Sequence, residues 1–196
     1  LAAAWLLFSW SLHVDEDPRT LLRDMQVPSR GNWQKAYALA ELLRNPRNEA
    51  LRENAALCRE LASILDDQLR NVNGDPSRLQ FRVFLCRALG EFHVPDGLPS
   101  LLQAAEVSRS TGHIDVYCAA LEALALLAGN IGPDVLRSDP RAMTVLLEAS
   151  RVASDPAAVV NRHRVASTAT FALGVVGGPV ATQRLRQLLD DLRPDV

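Results

Sequence analysis

"CRALGEFHVPDGLPSLLQAA", residues Cys86 to Ala105, decides the architecture. The stretch opens on the end of an apolar helical run. It breaks at Pro95-Asp96-Gly97 and then restarts a helical stripe with Leu98, Leu101, Leu102 and Ala105. Proline has no amide hydrogen to continue a helix, and Pro-Asp-Gly is turn chemistry. The stretch is therefore helix, tight turn, helix. Ala88-Leu89-Gly90, just before the break, sets small residues around one leucine, which lets a second backbone approach closely. That run reads as a packing seam.

Working outward, the seam recurs. Ala38-Leu39-Ala40, Ala88-Leu89-Gly90, Ala123-Leu124-Ala125 and Ala172-Leu173-Gly174 stand 50, 35 and 49 residues apart. Each precedes a break and a second helix with an amphipathic stripe. In Arg141–Val152, for example, Val145, Leu146, Ala149 and Val152 share one face, opposite Thr144, Glu148 and Arg151. Asp-Pro pairs at residues 17–18, 75–76, 139–140 and 155–156, with Asn45-Pro46, stop one element and can start the next. No stretch alternates like a strand. Paired helices at this period predict an all-α fold, an α-solenoid of stacked antiparallel helix pairs, with eight to ten helices by the pair count. Gly lowers helix propensity by roughly 1 kcal/mol relative to Ala. Gly90 and Gly174, near helix ends, are accordingly expected to be crossing points or the beginning of a C-terminal stop.

"DPSRLQFRVFLCRALGEFHVPDGLPSLLQAAE" (Asp75–Glu106) resembles a bacterial HEAT-type repeat, with Asp-Pro, an Arg at residue 82, Ala-Leu-Gly, a turn and a Leu-rich helix. "RVASTATFALGVVGGPVATQRLRQLLDD" (Arg164–Asp191) resembles another, and "NWQKAYALAELL" (Asn32–Leu43) resembles the first helix of a third. Residues 114–152 depart most, with no matching Arg and a longer turn, "AGNIGPDVLRSDP". The resemblance implies a HEAT-like superhelix over residues 31–196, about four helix pairs, cut at both ends. Residues 15–30 are expected to be a linker or short helix. Residues 1–14, "LAAAWLLFSWSLHV", carry no formal charge and are too short for the about 20 residues a span needs. They are expected to be the remnant of a membrane anchor, with Trp5 and Trp10 near the polar flank. The alternatives are a buried capping helix or a signal-peptide remnant. The chain is expected to be membrane-associated on the cytoplasmic side, with a purely cytoplasmic location as the alternative.

Composition narrows function. The chain has 196 residues, 48% hydrophobic and 5% aromatic, and a net charge of -2. No global positive field draws nucleic acid, so no nucleic-acid partner is expected. Lys35 is the only lysine; codon bias of a GC-rich genome explains the arginines, and selection for bidentate contacts is the alternative. Cys58, Cys86 and Cys118 are distant from one another and lie in apolar runs, so they read as buried hydrophobes without disulfide or metal. No cofactor is expected.

The histidines do not converge on a catalytic set. Asp115, two residues after His113, is more simply a helix cap. Arg162, His163 and Arg164 form a small anion patch, or else a solvated helix face. Asp66-Asp67 and Asp190-Asp191 read as solvated pairs. Deoxyhypusine hydroxylases of related architecture rely on His-Glu pairs for two irons, and neither His-Glu nor Glu-His occurs here. DNA glycosylases of related architecture need a cationic groove, which the charge balance opposes. What remains is a non-enzymatic scaffold that binds a protein partner through its concave face. The expected ladder is Gln103, Glu106, Glu148, Arg151, Gln183 and Gln187, all on second helices. The alternative is a regulatory, chaperone-like or bilin-lyase-like subunit of an enzyme system, which a buried His or Cys facing a deep groove would favour.

Overall fold

A computed structural model describes residues 17–71, 74–151 and 159–191. Every regular element in them is helical: α1 (Pro18–Gln26), α2 (Asn32–Arg44), α3 (Glu49–Arg52), α4 (Ala55–Arg70), α5 (Pro76–Gly90), α6 (Leu98–Thr111), α7 (Ile114–Ile131), α8 (Pro133–Ser138), α9 (Pro140–Ala149), α10 (Val159–Val176) and α11 (Gly178–Asp191). The short 3-10 turns Pro46–Asn48 and Pro95–Gly97 fall where the sequence places breaks. Residues 1–14 and Asp155-Pro156, on which the anchor and one start signal were read, lie outside the described residues.

The proline punctuation works through its acidic partners at two of its sites. Asp17 Oδ1 accepts from Arg19 N at 3.1 Å to open α1. Asp139 Oδ1 accepts from Arg141 N at 2.8 Å and Ala142 N at 3.1 Å to open α9. Asp75 precedes α5 without a side-chain cap, so there Pro76 alone sets the start. The long break after α7 is itself structured, because it holds α8.

Packing follows the seams. α2 lies against α5, α5 against α7 and α7 against α10, while α1 meets α4, α4 meets α6 and α6 meets α9. Leu39, Leu89, Leu124 and Leu173, the four seam leucines, are each 0% exposed. Helix α7 is long and apolar enough to cross a membrane, and 61% of it is buried between its neighbours. Its hydropathy matches a central core position.

The two seam glycines differ. A Cβ built on Gly90 falls 2.9 Å from Ala123 Cα, a backbone atom of the next seam, so α5 and α7 touch there at a distance only glycine allows. Gly174 meets nothing within 4 Å, and α10 runs on past it to Val176. It is not a crossing: it sits exposed while Ala172 and Leu173 are buried, and it lies two residues before the end of α10, where Gly177 takes φ 64° and donates from N to Leu173 O at 2.8 Å. One reading changes: Asp66 is half-buried, with Oδ1 shielded from water and without a partner, whereas Asp67 pairs with Arg70 at 2.6 Å.

All three cysteines are buried and free. Burial pushes the Cys58 and Cys86 thiols up to about 12, and pushes Cys118 up as well. The native thiols should therefore resist Ellman's reagent at pH 8 and react fully after urea unfolding; rapid reaction of the folded protein would contradict their burial. Gly90→Ala should destabilise by up to about 2 kcal/mol, because overpacking against fixed backbone outweighs the propensity gain. Gly174→Ala should stabilise by about 1 kcal/mol. Urea midpoints measure both, and a Gly90→Ala protein more stable than wild type would refute the close crossing.

Candidate functional site

Seven residues before its seam leucine, each of the first three seam helices carries a buried polar side chain: Asn32 in α2, Arg82 in α5 and Tyr117 in α7. Two of them satisfy the end of the preceding second-row helix, whose last carbonyls lack intrahelical donors. Asn32 Nδ2 donates to Met25 O and Val27 O, both at 2.9 Å, closing α1. Arg82 Nη2 donates to Asn71 O, closing α4. Burial lowers the Arg82 pKa, and its Nε has no partner.

Tyr117 has no such task. The end of α6 is already closed by its own residues. Gly112 adopts the left-handed conformation at φ 74°, His113 N donates to Ser108 O at 3.0 Å, and Thr111 Oγ1 donates to Val107 O at 2.8 Å. The ring of Tyr117 is 5% exposed, and its Oη makes no hydrogen bond to a described residue. It lines two adjoining cavities, of about 330 and 480 Å³. Arg109 and Glu148 line both cavities with it. Burial raises the phenol pKa; Arg109 opposes this and Glu148 adds to it, so the group stays protonated and able to donate at neutral pH.

The walls carry charge in pairs. Arg141 holds Glu106 bidentately, Nε to Oε1 at 2.8 Å and Nη2 to Oε2 at 2.7 Å, and this contact holds the Glu106 carboxyl below the usual range. Arg109 pairs with Glu148. Both pairs join α6 to α9. Arg151 stands exposed at the rim of the larger cavity. Ile114, Ala149 and Val165 give that cavity an apolar side. Among the described residues, three cationic and two anionic side chains line the cleft, one positive charge in excess.

Of the residues read from the sequence as a ladder, Glu106, Glu148 and Arg151 meet at this cleft. Gln103 is half-buried on α6 and lines neither cavity. Gln183 and Gln187 are exposed on α11, where Gln187 accepts from Arg184 at 3.4 Å. In the anion patch, Arg164 pairs with Asp115 at 2.6 Å and His163 is exposed. Asp115 thus bonds across to α10, and the residue at the N-cap of α7 is His113, so the capping reading of Asp115 is replaced by an interhelix pair. Asp115 and Arg164 each lie nine residues before a seam leucine, so equal register brought them together. The side chain of Arg162 lies outside the described set.

Sequence reasoning missed Arg109, Tyr117 and Arg141. Arg109 follows Glu106 by one turn, and Arg141 lies 35 residues after Glu106, the interval between the Leu89 and Leu124 seams. That match was the available signal. Among the described residues no group of three or more His, Cys, Asp or Glu is placed to hold a metal ion. No protein-family model matches the chain, and no curated protein or solved structure matches it significantly.

The Glu106–Arg141 pair has a pH signature. A depressed folded pKa gives stability that is present above the unfolded value of about 4.3 and is lost as pH falls through the lower folded value. The pair is nearly half exposed, so solvent screening limits it to about 0.2–1 kcal/mol. Glu106→Gln should lower the urea midpoint by that amount at pH 7, and the difference should shrink as pH falls below about 4.3 and vanish below the depressed folded value. An equal difference at pH 7 and pH 3 would show that the carboxylate charge is not what matters.

Proposed function

We propose that this chain is part of a HEAT-like α-solenoid that acts as a non-enzymatic scaffold, docking a protein partner on its second-helix row. The order of helix contacts supports the solenoid reading, because seam helices meet seam helices and second helices meet second helices. The cleft between α6 and α9 carries the functional reading. It combines two interhelix ion pairs, a rim arginine, an apolar side and a phenol whose hydroxyl bonds no described residue. Interfaces mix an apolar floor with a polar rim and favour Tyr and Arg at their centres. Among the described residues neither His nor Cys lines either cavity, which favours the scaffold over the enzyme-subunit alternative. Tethering to a membrane rests on the sequence of residues 1–14 alone.

Arg151 is the variant of choice, since Glu148 is engaged by Arg109. Arg151→Glu should reduce partner recovery when the full-length gene product is purified from its host. Stability should change by no more than about 0.5 kcal/mol, as for most exposed sites. Unchanged recovery of every partner removes this surface from the proposal. Turnover of a small substrate by the purified chain alone sinks the scaffold reading.

A further inference from the structure

We infer that the α6–α9 cleft recognises a single carboxylate, the side chain of an interior Asp or Glu in an extended partner segment, with the Tyr117 phenol as its hydrogen-bond donor and Arg151 as its charge partner. The inference rests on the scaffold reading and names what that surface selects. Its first support is the unspent donor. At the equivalent register Asn32 and Arg82 both donate to a helix end, whereas Tyr117, equally buried, donates to no described residue and faces the cavities. The hydroxyl is not among the side-chain atoms shut off from both water and protein, so it opens to the cavities, where an incoming acceptor replaces water at a donor already in place.

Charge selects the acceptor. Among the described residues the walls hold Arg109, Arg141 and Arg151 against Glu106 and Glu148, one cation in excess. One carboxylate balances that excess. A phosphate, at roughly two negative charges, would face both glutamates uncompensated. A cationic ligand would meet Arg151 at the rim.

Shape selects an interior residue. The two cavities continue past Tyr117 on both sides, sharing Arg109, Tyr117 and Glu148. A chain that ended at the phenol would leave one cavity empty. Ile114, Ala149 and Val165 line the larger cavity beyond it, so an apolar residue next to the acid fits that side. Glu148 is then a competitor: it already occupies Arg109 and repels an incoming acid.

The test is selection of random displayed peptides on the full chain, followed by fluorescence anisotropy of the selected peptides. The expected result is enrichment of Asp or Glu at an interior position. Replacing that acid by its amide in the peptide should weaken binding about tenfold or more, and so should Tyr117→Phe, as for loss of a hydrogen bond to a charged group. Glu148→Gln should tighten binding. Tyr117→Phe keeps the ring and removes a hydroxyl with no described partner, so melting should not fall; the peptide substitution needs no altered protein at all. Enrichment of basic or neutral peptides, of an acid only at the C-terminal carboxylate, or of no peptide overturns the inference. So does equal binding by Tyr117→Phe. If Arg151→Glu abolishes recovery of the host partner while no acid is selected, the scaffold stands and the carboxylate assignment falls.

Discussion

The contact between Gly90 and Ala123 sets how closely the two central seam helices, α5 and α7, approach. With backbone against backbone, there is no room at the crossing for any side chain beyond a methyl, so the large apolar groups must lie on either side of it. Leu89 and Leu124, the neighbours in sequence of Gly90 and Ala123, are fully buried beside it. Because interiors pack at crystal-like density, a close crossing of this kind fixes the relative height of α5 and α7 to a fraction of a residue. That height in turn decides which positions on successive helices are level with one another, and so which side chains reach the second row.

Register then explains the polar interior. A position seven residues before the seam leucine sits beside the C-terminus of the preceding second-row helix, where carbonyl groups need donors. Asn32 and Arg82 answer that need with side chains of different length. Elsewhere the need is met differently. Arg184 of α11 donates from Nε to Ser150 Oγ at 3.0 Å and from Nη2 to Ser150 O at 3.1 Å at the end of α9, and Arg137 of α8 donates to Val176 O at 2.7 Å at the end of α10. Helix α6 closes itself through Gly112. Glycine at that stop is what releases position 117 from structural duty.

The main helices and their order were legible because small-Leu-small seams and Asp-Pro punctuation act locally, through backbone approach and capping; the short α3 and α8 bring the described residues to eleven helices against the eight to ten expected. The burial of Leu39, Leu89, Leu124 and Leu173 followed from the same pattern. Which of its two readings Gly174 follows was not legible, because sequence shows that a position is small without showing whether anything lies opposite it. The ladder was half legible. Outward positions on α6 and α9 were found, but their partners were not, since Arg141 and Arg109 pair at separations of 35 and 39 residues set by the stacking. Tyr117 was invisible for a further reason: it lies in an apolar run, and its lack of a partner depends on how a different helix ends.

The ion pairs of the cleft do little to hold the fold together. Their side chains are between a third and somewhat over a half exposed, and pairs of that kind contribute at most about 1 kcal/mol each. The core does not need them, since the seams already bury the apolar surface that drives folding. Weak pairs have a different consequence. An arginine held by an exposed glutamate keeps its geometry while remaining exchangeable, so an incoming group can displace the glutamate for little net loss. A buried pair would not allow this, because stripping one partner leaves an uncompensated charge at several times that penalty. The exposed pairs therefore keep the cleft walls ordered and charged while leaving them open to exchange, beside a phenol whose own environment keeps it a donor.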